Sequence, residues 1–187
     1  LAPIAQHIVV TAPSGFEDEF KKVLGDQVTV ITGGILRSDS IRIALASIPN
    51  QYEYVLVHDA ARSLAPTALA KSVVDQLVKG EQAVVPVLDL VDTIKEVDAS
   101  GYVRNTPDRS SLRAVQTPQG FTKSVLERAH QASDDATDDA ALVEALGVKV
   151  KTIAGDERAL KITNKSDLSR ALEILHPDSK AKLRVGI

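Results

Sequence analysis

The sequence contains no cysteine, so a disulfide framework and a thiolate metal site are both excluded. Its apolar runs are too short for a membrane-spanning helix, and no signal-peptide pattern is seen. A net charge of -3 gives no electrostatic footprint for nucleic acid. We therefore expect a soluble, cytoplasmic protein that binds neither membranes nor nucleic acid.

Methionine is also absent, and the sequence begins at Leu1. Because translation starts with methionine, we expect residues to precede Leu1; a processed N-terminus is the alternative. The 187 residues suffice for one domain with its own hydrophobic core. An apolar fraction of 44% and a charged fraction of 25% are typical of such a globular domain.

Short apolar segments alternate with amphipathic helical patterns along most of the chain. Strands are predicted at residues 7–11, 28–31, 54–57, 83–88, 114–116 and 148–153. Helices are predicted at residues 17–23, 38–48, 66–79, 122–132, 138–146 and 166–175. This alternation predicts an α/β fold, a mainly parallel sheet flanked by helices. The unbroken apolar strands agree, since both faces of such a sheet are buried.

The pattern changes between residues 89 and 113. Two short polar–apolar segments, 93–97 and 102–105, flank a turn at residues 98–101, which predicts a β-hairpin. A hairpin of this length has little capacity to form a core of its own. A protruding arm that packs on another subunit would explain it, and a solvated surface hairpin would explain it equally well.

Polar and charged residues follow the predicted strands, and ligands of open α/β sheets bind beyond the carboxyl ends of the strands. The residues there are Gly33, Gly34, Arg37, Asp39, Ser40, His58, Asp59, Arg62, Thr117, Pro118, Gln119, Gly120, Thr137, Asp138, Gly155, Asp156, Glu157, Lys161 and Thr163. Most of them suit phosphate, which binds cations, hydroxyls and exposed backbone amides. Asp59 is an acidic group among cations, and a Mg²⁺ ion shared between its carboxylate and phosphate oxygens would account for it.

Taken singly, these residues have ordinary structural explanations. A glycine pair after a strand is usually a turn, Asp59 could cap the next turn, and Arg62 could pair with it at the surface. His58 is expected to pack or cap rather than to catalyse. The acidic residues Asp134, Asp135, Asp138 and Asp139 resemble a metal cluster, but we favour an acidic helix start that complements the helix dipole. Only the convergence of these groups on one rim favours a functional site.

Several motifs resemble those of the 2-C-methyl-D-erythritol 4-phosphate cytidylyltransferases. They are VHDAARS (57–63), DTIKEVD (92–98), DRSSLRAVQTPQGF (108–121), TDDAALVE (137–144) and KITNKSDL (161–168). The stretch GGILRSDSIRIAL (33–45) is similar to the family's GG-x-x-R-x-[DE]-S-[IV]. The resemblance runs in unbroken order from about residue 7 to about residue 175. It implies one Rossmann-like nucleotidyltransferase domain over residues 1–187, with residues 89–109 as an inserted β-arm through which a homodimer forms.

The resemblance also implies a reaction. CTP and 2-C-methyl-D-erythritol 4-phosphate would give 4-diphosphocytidyl-2-C-methyl-D-erythritol and pyrophosphate, with Mg²⁺, in the non-mevalonate isoprenoid pathway. The phosphate nucleophile is already ionised, so no general base is needed. Catalysis then consists of positioning and of neutralising negative charge, which fits a rim rich in cations.

Residue roles follow from the same resemblance. Arg109 and Lys161 would hold the substrate phosphate, and Asp59 would serve the Mg²⁺–triphosphate region or the substrate hydroxyls. Further substrate contacts would come from Arg62, Thr93, Thr117 and Thr137. Nucleotide contacts would come from Gly33, Gly34, Ser40, Asp59 and Ala60, where the small Ala60 leaves room for the ribose. Thr93 and Arg109 lie on the predicted arm and would complete the site of the neighbouring subunit.

The sequence departs from the family pattern in two places. The family begins with a strand followed by P-A-A-G-x-G-x-R and then P-K, and we expect this missing segment to precede Leu1. If the protein truly lacks it, a non-catalytic nucleotide-binding dimer is the alternative. Ile35 and Leu36 also stand where polar residues are common in the family. A cytidylyltransferase for another polyol phosphate, ribitol 5-phosphate, is the nearest enzyme alternative, although residues 108–121 favour methylerythritol phosphate.

Overall fold

The computed structural model describes residues 3–132 and 138–176. The strands are β1 (Val9–Ala12), β2 (Thr29–Thr32), β3 (Tyr54–Val57), β4 (Ala83–Asp89), β5 (Glu96–Val97), β6 (Val103–Asn105), β7 (Arg113–Val115), β8 (Gln119–Thr122) and β9 (Lys151–Ala154). The α-helices are α1 (Glu17–Leu24), α2 (Arg37–Ser47), α3 (Thr67–Val78), α4 (Lys123–Ala132), α5 (Asp139–Ala145) and α6 (Lys165–Leu175). Short 3₁₀ helices lie at Arg109–Ser111 and Glu157–Ala159. None of the helices in these two ranges has the length and hydropathy of a membrane-spanning segment.

The main sheet has five strands, in the order β3-β8-β4-β7, and β9 also pairs with β4. Strand β8 is antiparallel to both β3 and β4, and β7 is antiparallel to β4, whereas β9 is parallel to β4. Strands β3, β4 and β9 therefore run in one direction, and their carboxyl ends lie at one edge. The predicted α/β class with flanking helices is confirmed. The predicted mainly parallel pairing is wrong for this sheet, which is mixed.

The difference arises between residues 113 and 122. The sequence predicts one strand at residues 114–116, but the chain forms two strands, β7 and β8, joined through residues 116–118. Gly120 lies in β8 where a Cβ atom would come 2.3 Å from Cγ1 of Val73, so the glycine lets α3 pack closely on the sheet. A strand of four residues that contains glycine and follows proline has no apolar alternation, and the sequence pattern therefore does not reveal it.

Helices cover both faces of the main sheet. Alternate strand residues such as Val55, Val85 and Phe121 face α2, α4 and α5 on one side. Val84 and Leu56 face the other side, where they pack with Val73 and Leu77 of α3. This division follows from the two-residue period of a strand. Strands β1 and β2 pair in parallel in a separate two-stranded sheet, with α2 packed on β1.

The predicted hairpin is present as β5 and β6, which pair in antiparallel fashion. Its turn is fixed by Asp98, whose Oδ1 accepts hydrogen bonds from the backbone N–H groups of Ser100 and Tyr102. Both strands are exposed throughout, and the side chain of Tyr102 is 74% exposed. The packing of this arm on a second subunit stays a prediction.

Candidate active site

Asp59 lies at the centre of a cluster of cations just beyond the carboxyl end of β3. The Nζ atom of Lys161, on the loop after β9, is 3.1 Å from its Oδ2 atom. The Nε atom of Arg62 is 3.8 Å from the same oxygen. The Asp59 side chain is only 18% exposed, so these contacts act with reduced screening by water. The structure thus brings together three residues that the sequence analysis placed at one rim.

Arg37 approaches Asp59 from the opposite side, a role that the sequence analysis did not assign to it. Its Nε atom is 3.9 Å from Oδ1 of Asp59. Its NH2 group donates a hydrogen bond of 2.7 Å to Asp139 at the start of α5. Each oxygen of the Asp59 carboxylate therefore faces cationic groups. Within this cluster three cations contact two carboxylates, and such a concentration of cations is suited to anions.

Asp139 is completely buried and also bonds to Nε2 of His130, at 2.8 Å. Burial alone would raise the pKa of Asp139, but the hydrogen bonds from His130 and Arg37 outweigh it and hold this pKa below the ordinary 3.8. Asp138 caps α5 by accepting from the backbone N–H of Ala141. The preference for a helix start over a metal cluster fits both residues, whereas Asp134 and Asp135 lie outside the described residues. Within the described part of the chain, no group of three acidic or histidine side chains could hold a metal.

The side chain of Thr117 contacts the backbone of Asp59. Its Oγ1 accepts a hydrogen bond of 3.0 Å from the Asp59 N–H and lies 3.0 Å from Nδ1 of His58. Burial lowers the pKa of His58 below 6.5, so its ring is neutral at pH 7. A neutral ring accepts the hydroxyl proton of Thr117 while the hydroxyl oxygen accepts from Asp59. These bonds support the structural role expected of His58.

The proximity of Thr117 to Asp59 was expected, but for a different reason. The sequence analysis placed Thr117 at the carboxyl end of a parallel strand. In the structure, Thr117 precedes the antiparallel strand β8, and Gln119 at the start of β8 is paired with Val57 at the end of β3. The amino end of an antiparallel strand reaches the same edge of the sheet as the carboxyl end of its neighbour.

The glycine pair packs against the first turn of α2. The Gly34 N–H donates to Oγ of Ser40, at 3.0 Å. A Cβ atom on Gly34 would lie 2.2 Å from the Cβ atom of Asp39, and one on Gly33 would lie 2.9 Å from Oγ of Ser40. The Gly34 position therefore requires glycine for this close approach, and the Gly33 position is tightly packed. Ile35 is 99% exposed, so it makes no packing contact in this chain.

The other predicted site residues lie near Asp59, on the arm, or outside the described residues. Arg62 donates hydrogen bonds to the carbonyl oxygens of Ala159 and Val115, and Ala60 is exposed beside Asp59. Thr93 is exposed on the arm, and Arg109 at the base of the arm donates to the carbonyl oxygen of Val91. Among the described residues, neither of these arm residues forms a hydrogen bond or ion pair with Asp59. Thr137 lies outside the described residues. The ligand contacts predicted for all these residues stay predictions.

Gln116 is a buried polar residue that the sequence analysis did not single out. Its side chain is 3% exposed and forms hydrogen bonds with both the N–H and the carbonyl oxygen of Asp156. Gln116 lies within the motif at residues 108–121, but the motif does not reveal its hydrogen-bond partner, which lies 40 residues away in the chain.

The fold is that of an α/β protein, and at the ends of its strands three cations surround the carboxylate of Asp59. Sites of this class bind phosphorylated ligands. The chain belongs to the family described as IspD, 2-C-methyl-D-erythritol 4-phosphate cytidylyltransferase, whose family model matches residues 2–177. The resemblance drawn from the motifs is thereby confirmed.

Similar proteins and solved structures carry the name of this family. A relative from Rhodococcus jostii, named 2-C-methyl-D-erythritol 4-phosphate cytidylyltransferase, is 51% identical over 168 residues, which cover 88% of this chain and 74% of the relative. A relative of the same name from Nocardia farcinica is 48% identical over 97% of this chain and 79% of its own length. The structure of the enzyme of that name from Thermus thermophilus matches with a TM-score of 0.78 and 34% identity, over 90% of this chain and 81% of that one.

Proposed function

We propose that this chain joins CTP and 2-C-methyl-D-erythritol 4-phosphate to give 4-diphosphocytidyl-2-C-methyl-D-erythritol and pyrophosphate, a step of isoprenoid biosynthesis. The observation that carries the proposal is the contact between Lys161 and Asp59, with Arg62 and Arg37 beside them. Both substrates are polyanions, and a cluster of three cations attracts and orients them. Family membership and the names of the relatives supply the substrate identities.

The proposed reaction is an in-line displacement at phosphorus. A phosphate oxygen of methylerythritol phosphate attacks the α-phosphorus of CTP, a new P–O bond forms, and the bond to the β-phosphate breaks to release pyrophosphate. No proton has to be removed from the nucleophile. Lys161 holds the attacking phosphate and offsets its repulsion with the triphosphate, a contribution that strengthens as charge develops in the transition state. The neutral His58 is not required as a base.

A Mg²⁺ ion fits this rim only in partnership with phosphate. Both oxygens of the Asp59 carboxylate face cations, with Nζ of Lys161 at 3.1 Å from Oδ2, and among the described residues no cage of acidic ligands surrounds them. Mg²⁺ commonly binds in this way, through one or two carboxylates together with substrate phosphates. When bound, the ion would neutralise triphosphate charge, and Asp59 is the residue that would hold it.

The glycine pair would serve the nucleotide base. Gly33 and Gly34 lie just before α2, where their N–H groups donate to the carbonyl oxygen of Ala12 and to Oγ of Ser40. Ala60 is exposed beside Asp59 and leaves space for the ribose. Backbone readout of cytosine does not depend on Ile35 or Leu36, so their departure from the family pattern is compatible with CTP.

The exposed arm supports a homodimer in which Thr93 and Arg109 complete the neighbour's site. Val97, Tyr102 and Val103 expose apolar surface on two short strands that lack a core of their own. Arg109 lies at the base of this arm rather than beside Lys161. A second copy would therefore supply the remaining substrate contacts.

The choice of alcohol phosphate is tested by comparing kcat/KM for methylerythritol phosphate with that for ribitol 5-phosphate at fixed CTP and Mg²⁺. We expect methylerythritol phosphate to be preferred. Equal or better use of ribitol 5-phosphate would overturn the substrate assignment while leaving cytidylyl transfer intact. Binding of CTP without turnover of either alcohol would instead favour the non-catalytic nucleotide-binding dimer.

A further inference from the structure

Lys161 lies on the connecting segment between β9 and α6, outside any α-helix or strand. Between the end of β9 and the start of α6, the chain forms only the short 3₁₀ helix Glu157–Ala159. A lysine on such a loop would normally sample many positions, since its long side chain also carries rotamer freedom. The placement of Nζ beside Asp59 therefore requires that the loop backbone be fixed from elsewhere.

Gln116 supplies part of that restraint. Its Nε2 donates to the carbonyl oxygen of Asp156 at 2.9 Å, and its Oε1 accepts from the N–H of Asp156 at 2.9 Å. A side-chain amide that bonds both backbone groups of one residue imitates the pairing of a neighbouring strand. The backbone N–H of Gln116 donates to the carbonyl oxygen of Pro86 in β4, at 2.8 Å. This bond anchors the backbone from which the Gln116 side chain extends.

Gly155 makes this approach possible. A Cβ atom at residue 155 would lie 2.3 Å from Oε1 of Gln116 and 2.9 Å from the carbonyl oxygen of Val87. The Gly155 N–H donates to that same carbonyl oxygen, at 2.8 Å, and so continues the pairing of β9 with β4 by one residue. The glycine lets the loop leave β9 in direct contact with the buried amide.

Two more bonds fix the loop close to Lys161. Arg62 donates from NH1 to the carbonyl oxygen of Ala159, at 2.6 Å, and Ala159 is fully buried. On the other side of the lysine, the Ile162 N–H donates to the carbonyl oxygen of Ala61, at 2.8 Å. The loop is therefore tied to β4 through Gln116 and to the turn that carries Asp59.

We infer that Gln116 is a positioning residue that, through its two hydrogen bonds to Asp156, holds the 155–162 loop so that Lys161 faces the reacting phosphate. The inference rests on the role proposed for Lys161 in cytidylyl transfer. Small displacements of a group that acts on a reacting phosphate are costly, because catalysis of this kind depends on orientation. Gln116 acts through Lys161 and does not touch the substrate.

The test is a double-mutant cycle between Gln116→Met and Lys161→Ala. Methionine keeps the volume of glutamine but removes the two hydrogen bonds to Asp156 and the longer one, of 3.5 Å, to the carbonyl oxygen of Ala159. We expect Gln116→Met to lower kcat by about 10- to 100-fold while KM for CTP changes by less than about twofold. In the Lys161→Ala background the same substitution should cost less than about twofold, because the residue through which it acts is gone. Gln76→Met on α3, far from the rim, is the matched control and should leave kcat unchanged.

The outcomes separate this inference from the proposed function. A folded Gln116→Met protein with normal kcat, or a loss that is fully additive with Lys161→Ala, overturns the positioning role. A Lys161→Ala protein with normal activity refutes the proposed role of Lys161 and the inference with it. If Gln116→Met does not fold, Gln116→Asn provides the same cycle, because it introduces no charge and its shorter side chain cannot reach both backbone groups of Asp156.

Discussion

Nζ of Lys161 lies 3.1 Å from Oδ2 of Asp59, which joins the loop after β9 to the end of β3. The two residues are far apart in the chain but meet because β3, β4 and β9 run in the same direction and end at one edge of the sheet. This pair is the structural centre of the proposed site.

Replacing Lys161 tests its charge at the reacting phosphate. We expect Lys161→Ala to lower kcat/KM by at least about 100-fold, because it removes a charged contact that strengthens in the transition state. Steady-state kinetics with both substrates measures this, and Lys161→Arg is the control that keeps the charge. A folded Lys161→Ala protein with near-normal rates would refute the assignment.

Replacing Asp59 tests its role towards the metal. Asp59→Ala should abolish Mg²⁺-dependent activity, because its carboxylate is the group proposed to hold the ion together with the substrate phosphates. Titration of Mg²⁺ against the initial rate measures this dependence, and circular dichroism establishes that the variant is folded. An unchanged Mg²⁺ dependence would reduce Asp59 to a cap of the turn that ends with Arg62.

Mixing two inactive variants tests whether Arg109 serves the neighbouring subunit. Arg109→Ala alone should lower kcat/KM by about 100-fold. If Arg109 acts in the partner's site, heterodimers of Arg109→Ala and Lys161→Ala subunits contain one site in which both residues are intact. Random exchange in an equal mixture should then restore about a quarter of wild-type activity, since half the dimers are mixed and half their sites are complete. No recovery after confirmed exchange would place Arg109 in its own subunit's site.

The buried Asp139 should make stability depend on pH. Its folded-state pKa lies below the ordinary 3.8, so its contribution is present above about pH 3.8 and is lost as the pH falls through the folded-state pKa. We expect Asp139→Asn to lower the free energy of unfolding at pH 7 by about 1–3 kcal/mol, with a smaller difference from wild type in acid. Denaturant unfolding between pH 3 and pH 7 measures this.

The control for Asp139 is Asp75→Asn on α3. Asp75 pairs with Lys71 at the surface, where ion pairs contribute little, and the substitution should stay within about 0.5 kcal/mol. A pH-independent difference between Asp139→Asn and wild type would contradict the ionised state assigned to Asp139.

Much of this arrangement was predictable because it depends on strand direction. The apolar run at residues 54–57 followed by Asp59, and the strand that precedes Lys161, place both side chains at one edge of an α/β sheet. The hairpin was predictable from its turn. Strand β8 was not, because glycine and proline remove the alternation that reveals a strand.

The supporting contacts could not be predicted from local pattern. The bond from Arg37 to Asp139 joins residues 102 positions apart, and that of Gln116 to Asp156 spans 40. Neither residue belongs to a periodic or capping motif that would indicate its partner. The proposed contact of Arg109 with a neighbouring subunit's site involves a second copy of the chain, which one sequence cannot place.

Transfer of label from CTP tests the central proposal most directly. CTP labelled at the α-phosphorus is incubated with methylerythritol phosphate, Mg²⁺ and the protein, with Lys161→Ala in parallel. We predict that the label appears in 4-diphosphocytidyl-2-C-methyl-D-erythritol, in an amount equal to the pyrophosphate released, and that Lys161→Ala forms little of it. Label that remains in CTP, or appears only in CMP, would contradict the proposed cytidylyl transfer.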